Sequence, residues 1–271
     1  MRLSPGRAVA VAAGLLVAMA GPAIAVDIAP HRALYDMSLS SSKQNSGVVA
    51  ASGSMAFEWG ETCDGWTVEQ RYKLTMHYAE EPDVELTSNF VTWESKDGLR
   101  YRFYQRKLKN GDIDDEVRGE ARLDGKGKGG TVDFTKPNNE TMTLAPGVIF
   151  PTAHTILLIE RAAAGDQFVG AKVFDGATEE NAVDVSAVIG SPQTAEAGAA
   201  EAKVKSPLLA RPSWRMRLAF FPADTKADQP DYELGMRLLD NGVSRDMVLD
   251  YGDFAIKATL DSIEALPKPN C

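Results

Sequence analysis

A period of two runs through much of this chain. From Trp66 to Tyr78 the even positions are mostly apolar or aromatic, whereas the odd positions are polar or charged. Because successive side chains of a β-strand point to opposite faces, this alternation predicts a long strand with one buried face. The pattern recurs in four later segments: 213–220, 231–238, 245–251 and 254–263. A sheet with this much half-buried strand must close, curl or cover its edges.

A hairpin is predicted at Asn110-Gly111, between the strand-like segments 99–109 and 112–123. This dipeptide is favoured at the centre of a two-residue turn. The predicted opposite pairs are Lys109 with Asp112, Lys107 with Asp114, and Arg106 with Asp115. Opposite charges facing each other across two strands support this register. The same acidic run lacks the spacing of a calcium-binding loop, so no metal site is predicted there.

One segment departs from the β pattern. Residues 152–164 contain the apolar run 156–159, begin at Thr152, a plausible N-cap, and end before Gly165. The segment is predicted to be a helix, and its apolar residues surround the helix axis. Such a helix is buried against the sheet, because a helix lying on a membrane would present a charged opposite face.

The predicted fold class is therefore mostly β: a single domain, residues 26–271, in which a curled antiparallel sheet wraps one helix. Residues 191–206 are rich in Ala, Glu and Lys, show no β periodicity, and are predicted to form a surface loop.

The N-terminus predicts export from the cytoplasm. Arg2 and Arg7 precede the apolar run 8–20, and Ala23-Ile24-Ala25 has the small residues of a cleavage site. This is the pattern of a signal peptide, residues 1–25, cleaved after Ala25. The apolar run is shorter than the roughly 20 residues of a spanning helix. A soluble periplasmic protein is expected.

Two cysteines, Cys63 and Cys271, remain after cleavage. An even number of cysteines in an oxidising compartment predicts one disulfide, and only one pairing is available. The prolines at 267 and 269 favour an extended C-terminal tail, which the bond would anchor beside the turn-like segment 61–65. Metal-binding cysteines would instead form a tighter cluster.

Charge excludes some classes of partner. The chain carries a net charge of −9, and removal of Arg2 and Arg7 with the signal peptide makes it two units more negative. Such a surface repels nucleic acid and anionic membranes.

No catalytic, metal or cofactor site is predicted. His31, His77 and His154 lie in separate elements, and none has a motif partner. His77 falls on a polar strand face, and His154 is expected to pack or cap in the first helical turn. Ser40 and Lys43 match a bare Ser-x-x-Lys spacing, but the companion motifs of penicillin-interacting enzymes are missing. The glycine-rich segment 125–130 lacks the phosphate-loop spacing.

The aromatic and methionine side chains of the strands are first interpreted as core. The tryptophans are Trp59, Trp66, Trp93 and Trp214. A curled sheet that does not fully close can also leave an apolar groove, suited to an acyl chain or a partner peptide. The sequence leaves both interpretations open.

Four short motifs stand in a characteristic order: His-Arg-Ala-Leu-Tyr at 31–35, Cys-Asp-Gly-Trp at 63–66, Phe-Pro-Thr-x-His at 150–154, and the C-terminal Cys271. In this respect the chain resembles the EipB family of alphaproteobacterial envelope-integrity proteins. The resemblance implies a periplasmic β-spiral, similar in fold to lipoprotein carriers, with a disulfide between Cys63 and Cys271. It further implies a non-enzymatic role in envelope integrity and stress resistance, and a functional link to a periplasmic tetratricopeptide-repeat protein.

Two functions follow as hypotheses. The first is a non-enzymatic protein that supports the envelope by binding a periplasmic partner. The second is a carrier or sensor whose apolar concave face holds the acyl chain of a lipid or lipoprotein. An envelope hydrolase is disfavoured, because no nucleophile and base are paired in a motif.

Overall fold

The computed structural model describes residues 26–196, 204–222 and 228–271. The predicted signal peptide, residues 1–25, lies outside these ranges. The described chain forms fifteen strands and the helix α1, Pro151–Ala163. The strands are β1 (His31–Ser42), β2 (Val48–Glu61), β3 (Gly65–Tyr78), β4 (Val84–Ser95), β5 (Arg100–Lys109), β6 (Asp112–Leu123), β7 (Gly130–Lys136), β8 (Glu140–Leu144), β9 (Val148–Ile149), β10 (Phe168–Val173), β11 (Val183–Gln193), β12 (Ser213–Phe221), β13 (Tyr232–Leu239), β14 (Ser244–Asp250) and β15 (Phe254–Ala265).

All fifteen strands belong to one sheet, in the order β8-β7-β6-β5-β4-β3-β2-β1-β15-β14-β13-β12-β11-β10-β9. Two antiparallel runs, β1 to β8 and β10 to β15, are joined where β1 pairs with β15. The sheet is antiparallel, as predicted, except at one edge, where Val148 and Ile149 of β9 pair with β10 in parallel. The reason is the crossover connection: α1 lies between these strands, and parallel neighbours need such a connection.

The two edges of the sheet lie close together. β8 and β9 are separated in the chain only by residues 145–147. Gly147 N donates a hydrogen bond to Gly127 O at 3.2 Å, and Asn181 Nδ2 donates one to Thr143 O of β8 at 3.3 Å. The sheet is therefore a nearly closed barrel around the helix, which confirms the predicted fold class.

The alternation seen in the sequence becomes the inner and outer faces of this barrel. On β3, Trp66, Leu74 and Met76 are buried, whereas Arg71 and Lys73 are exposed. The buried residues form three apolar clusters along the inner face. Burial of apolar surface, at about 25 cal/mol per Å², is the main term that stabilises this arrangement.

The predicted hairpin forms at Asn110-Gly111, where both residues have positive φ, 54° and 90°. Lys109 pairs with Asp112 as expected. An irregularity between Lys107 and Leu108 then shifts the register by one residue. Lys107 therefore faces Asp115, and Arg106 faces Glu116, so these two predicted pairs are wrong. The pairing of opposite charges survives the shift, because the acidic run extends to residue 116.

Helix α1 begins one residue earlier than predicted, at Pro151, and ends at Ala163 before Gly165, whose φ is 89°. Thr152 is not the N-cap, since that position belongs to Phe150, which has no side-chain cap. The orphan N–H groups of the first turn are instead bound by a carboxylate from β4, as described below. A distant strand can supply this cap because the helix start packs against the end of that strand.

The loop predicted at 191–206 begins later than expected, because β11 continues to Gln193. Residues 197–203 of this loop lie outside the described residues. Where the chain is described, none of its helices is long and apolar enough to cross a membrane.

The structure joins Cys63 and Cys271 by a disulfide, with a Cα–Cα distance of 5.8 Å. The pairing is the one predicted from the sequence. The tail is also held by a hydrogen bond from Leu266 N to Pro30 O at 2.9 Å, and by an ion pair between Lys268 and Asp27. The disulfide therefore joins Cys271 to the turn before β3, and the other two contacts hold the tail beside the first residues of the described chain.

Cys63→Ser and Cys271→Ser break the same bond. We expect each variant to lower the free energy of unfolding by roughly 2–5 kcal/mol, and the double variant to lose no more than either single one. Denaturant unfolding of the oxidised proteins measures this, with Asn270→Ser as the control that leaves the bond intact. Unequal or additive losses would contradict the pairing.

Candidate functional site

Helix α1 fills one end of the barrel. Its side chains Leu158, Ile159 and Ala162 are buried in the same cluster as Trp59, Trp66 and Trp214 of the sheet. Trp59 and Trp66 meet edge to face, with ring centroids 6.4 Å apart. These large rings lie near the strand ends that face the helix, so this end is packed with side chains.

The other end of the barrel carries a row of aromatic side chains on β12 to β15. Phe220 and Tyr232 stack with centroids 4.3 Å apart, Tyr251 follows at 6.1 Å from Tyr232, and Phe254 at 5.3 Å from Tyr251. Tyr251 is 46% exposed, although it belongs to this apolar row. The row therefore presents an accessible aromatic surface at the end opposite α1.

Between the helix and this row, inward side chains are only half-buried. Each of them points to the same face of the sheet as the core residues of its own strand. They are Val68 and Tyr72 of β3, Phe90 of β4, and Leu234 and Met236 of β13. We call these five residues, together with the aromatic row, the inner wall. Water reaches its apolar surface, so the interior is not completely filled by the described side chains.

The hydroxyl groups of the inner wall stay protonated. Burial raises the pKa of Tyr72, and burial followed by the charge of Asp175 raises the pKa of Tyr232. Partial desolvation of the hydroxyl of Tyr251, followed by the neighbouring Tyr72, raises the pKa of Tyr251. The wall therefore offers aromatic and aliphatic surface with a few neutral hydroxyls. This chemistry suits an apolar ligand with a small polar end.

A buried carboxylate joins the sheet to the helix. Glu94, at the end of β4, is 2% exposed, and its two oxygens accept hydrogen bonds from Thr152 N at 2.7 Å and Ala153 N at 2.9 Å. Burial raises the pKa of Glu94 to about 7, although the backbone hydrogen bonds act in the opposite direction. A carboxylate at a helix N-terminus also complements the helix dipole. Glu94 thus holds α1 in the barrel.

The three histidines are held in different surroundings. His31 is buried against Phe57, with its Nδ1 2.7 Å from Ala29 O, and burial lowers its pKa. His154 is buried in α1, where burial lowers its pKa to about 4. His77 lies at the surface, as expected, with Nδ1 2.8 Å from Asp83 Oδ2. The structure does not bring the histidines together.

The other candidate motifs are surface features. Ser40 is exposed near the end of β1, and Lys43 pairs with Asp253 at 3.7 Å. The glycine-rich segment 125–130 forms the turn between β6 and β7, with positive φ at Gly125 and Gly127. Across the ranges that the structure describes, no group of three His, Cys, Asp or Glu side chains is placed to hold a metal ion.

Comparison with known proteins supports a single assignment. The sequence model of the EipB-like family matches residues 22–267. The chain belongs to this family. It is 32% identical over 248 residues to the Cell envelope integrity protein EipB of Brucella abortus (strain 2308), covering 90% of this chain and 87% of that protein. A crystal structure of a beta-barrel-like protein from Brucella abortus superposes with a TM-score of 0.82 and 30% identity, covering 90% of this chain and all of that one.

In this EipB-like chain, the motifs that suggested the family lie at one end of the barrel. His31 begins β1, Cys63 to Trp66 lead into β3, and Phe150 to His154 form the start of α1. Phe150 stacks on Tyr101 with centroids 5.0 Å apart. The motifs therefore belong to the contacts that close the helix-filled end and anchor the tail.

Sequence reasoning missed Glu94. The sequence signal that could have found it is the alternation of faces along β4. Glu94 lies two residues after Thr92 and four after Phe90, and all three side chains point inward. An acidic residue at an inward position near a strand end indicates a buried acceptor. What the sequence does not reveal is that the acceptor meets a helix start about sixty residues later in the chain.

Glu94 predicts a pH dependence of stability. Its carboxyl keeps a proton up to about pH 7 in the folded protein, whereas in the unfolded chain it ionises near its usual value of 4.5. The folded state therefore binds more protons between these values, so this contribution, about 3 kcal/mol, is present at low pH and is lost as the pH rises to 7. Glu94→Gln should remove this slope.

Urea unfolding from about pH 5 to about pH 8 measures the effect. The difference between wild type and Glu94→Gln isolates Glu94, because the buried histidines titrate in both proteins. Glu80→Gln, on the exposed loop after β3, is the matched control and should keep the wild-type slope. An identical slope in Glu94→Gln would show that this carboxyl does not titrate in that range.

Proposed function

We propose that this chain is a non-enzymatic periplasmic protein that supports cell-envelope integrity by holding an acyl chain of a lipid or lipoprotein on its inner wall. The observation that carries the proposal is the half-buried apolar surface between α1 and the aromatic row. Because the barrel is filled at one end and accessible at the other, an acyl chain can insert from the accessible end toward α1.

The energetics favour an apolar chain. Each buried methylene group contributes about 0.8 kcal/mol, so several methylenes along the inner wall offset the cost of ordering the ligand. The tyrosine hydroxyls near the accessible end, those of Tyr232 and Tyr251, are neutral donors and acceptors for a polar head. None of the residues that define the inner wall carries a formal charge, and burial raises the pKa of Asp175, the acid that acts on Tyr232.

The arrangement of nucleophiles and bases supports a role without catalysis. In the described residues, none of the three histidines hydrogen-bonds to a serine, threonine or cysteine side chain. Both cysteines are joined in the disulfide. A nucleophile activated by an adjacent base is the usual arrangement of a hydrolase.

Location rests on three observations. The segment 1–25 has the sequence pattern of a signal peptide. The disulfide is of the kind that forms and persists in an oxidising compartment. The relative in Brucella abortus is named for cell envelope integrity. Together they support the periplasm as the site of action.

The proposal is tested by measuring whether the protein binds lipid. Gently purified wild-type protein should release fatty acyl chains on solvent extraction, and a fluorescent fatty acid should bind it. Leu234→Glu places a charge on the inner wall and should weaken fatty-acid binding by at least about tenfold, which corresponds to 1.4 kcal/mol. Fluorescence titration measures the affinity.

Val248→Glu is the matched control, since Val248 is 36% exposed on the outer face of the neighbouring strand β14. It should bind as the wild type does. Absence of extracted lipid, together with no fatty-acid binding by the folded wild-type protein, would contradict the proposal.

A protein partner is the second candidate function, favoured by one observation. Phe168 of β10 and Val188 of β11 face each other on the outer surface and are 73% and 50% exposed. Adjacent exposed apolar side chains of this kind are typical of contact sites. The family resemblance suggests a periplasmic tetratricopeptide-repeat protein as the partner.

Site-specific photo-crosslinking in cells tests this candidate. A benzophenone side chain at position 168 should yield one discrete crosslinked protein, identified by mass spectrometry. The same group at position 49, where Val49 is 58% exposed on β2, is the matched control and should yield none. Equal crosslinking at both positions would mean that the Phe168 surface has no special partner.

A further inference from the structure

The outer face of the barrel contains an open depression of about 660 Å³ across β3 to β7. Its lining combines Val91, Trp93 and Tyr104 with Arg102, Arg118 and Glu120. These residues point away from the core, because their neighbours Tyr101 and Phe103 are buried on the inner face. We call this concavity the outer depression. It is separate from the inner wall.

Trp93 lies at the bottom of one side of the outer depression. Its ring lies across Gly65 of β3, since a Cβ on that glycine would come within 2.4 Å of Trp93 Nε1. Two guanidinium groups lie over the ring, Arg102 at 4.4 Å and Arg100 at 5.3 Å from its centroid. The ring orients these cations, and a guanidinium over an aromatic face retains N–H donors for a ligand.

The arginines on this side form no close ion pair. Within the described residues, the side chains of Arg100, Arg102, Arg118 and Arg122 form no salt bridge or hydrogen bond with the protein, although Asp97 interacts electrostatically with Arg100. Arg100 and Arg122 are not part of the lining but adjoin it, since Arg100 lies over Trp93 and faces Arg122 directly across β5 and β6. Like charges at such positions are destabilising, so a bound anion would relieve the repulsion. This cluster is notable on a chain with a net charge of −9.

The far side of the outer depression has the opposite character. Glu120 faces Arg102 across the strands but forms no salt bridge with it, because Arg102 lies over Trp93. Asp133 Oδ1 accepts a hydrogen bond from Thr141 Oγ1 at 2.8 Å, and Thr135 completes this side. Carboxylates and hydroxyls here can accept hydrogen bonds from ligand hydroxyl groups.

We propose that the outer depression binds an anionic saccharide, with its carboxylate or phosphate at Arg102 of the lining and at Arg100 and Arg122 beside it, and its hydroxyl groups at Glu120 and Asp133. Bidentate hydrogen bonding to carboxylate and phosphate is characteristic of arginine. Val91 and Tyr104 supply apolar surface between the two polar sides for the carbon face of a sugar ring.

The mixed lining favours a sugar over other anions. A polyacidic peptide would place further negative charges against Glu120 and Asp133. A membrane of anionic lipid would face a protein whose overall charge repels it. A sugar with one anionic group and several hydroxyls matches both sides of the outer depression.

Aldotetraouronic acid, a xylotriose that carries one methylglucuronate, is the probe, and xylotetraose is its neutral counterpart. The acidic sugar should bind at least about tenfold more tightly in calorimetry, and Arg102→Ala and Arg122→Ala should each weaken its binding by about tenfold. Arg215→Ala, exposed on β12 outside the depression, should have no effect. Melting temperatures verify that the variants are folded.

A second readout locates the ligand. Trp59, Trp66 and Trp214 are buried, so iodide quenching of the native protein reports mainly on the half-buried Trp93. Bound aldotetraouronic acid should protect this fluorescence from quenching. Phosphatidylcholine vesicles carrying glucuronosyl diacylglycerol distinguish a lipid-linked sugar, which binds only on vesicles, from a free glycan, which also binds in solution.

The proposal is overturned if xylotetraose binds as tightly as the acidic sugar, or if both arginine variants bind the acidic sugar as the wild type does. It is also overturned if polyglutamate or phosphatidylglycerol vesicles compete for the site as well as the acidic sugar does, since the site would then recognise negative charge and not a sugar. None of these outcomes depends on fatty-acid binding at the inner wall.

Discussion

The pairing of the first strand with the last one holds this fold together. β1 and β15 are hydrogen-bonded from His31 with Ala265 to Ser42 with Phe254. These partners are more than two hundred positions apart, so their pairing carries a large loop-closure cost. The disulfide reinforces the same place, because Cys63 follows β2 and Cys271 follows β15, the two neighbours of β1. With this join in place, two open meanders become one nearly closed barrel.

Closure creates an inside that has two different ends. At one end α1 packs among three tryptophans and is capped by Glu94, which satisfies helix N–H groups that no local residue binds. At the other end the aromatic row from Phe220 to Phe254 remains accessible. A barrel filled from one side and accessible from the other is suited to holding an elongated apolar ligand.

The two faces of the sheet differ in chemistry because alternate residues of each strand point to opposite faces. The inner wall is apolar with neutral hydroxyls, whereas the outer depression combines arginines on a tryptophan with carboxylates a few strands away. In the two proposals above, the inner wall binds an apolar chain and the outer depression binds an anionic sugar, on opposite faces of the sheet.

The sequence by itself determined the strands and the helix, because these depend on the local periodicity of apolar residues. It also determined the hairpin at Asn110-Gly111, through the turn preference of that dipeptide, and the cysteine pairing, because the chain has only two cysteines. It did not determine the shifted register after Lys107, the parallel strand β9, or the cap on α1. Those depend on which distant segments meet: Glu94 has the same local sequence whether or not a helix starts beside it. Likewise, Arg102 lies over Trp93 only because β4 and β5 pair in this register. The alternation along a strand assigns a residue to one face of the sheet, whereas the pairing of strands decides which residues lie beside it.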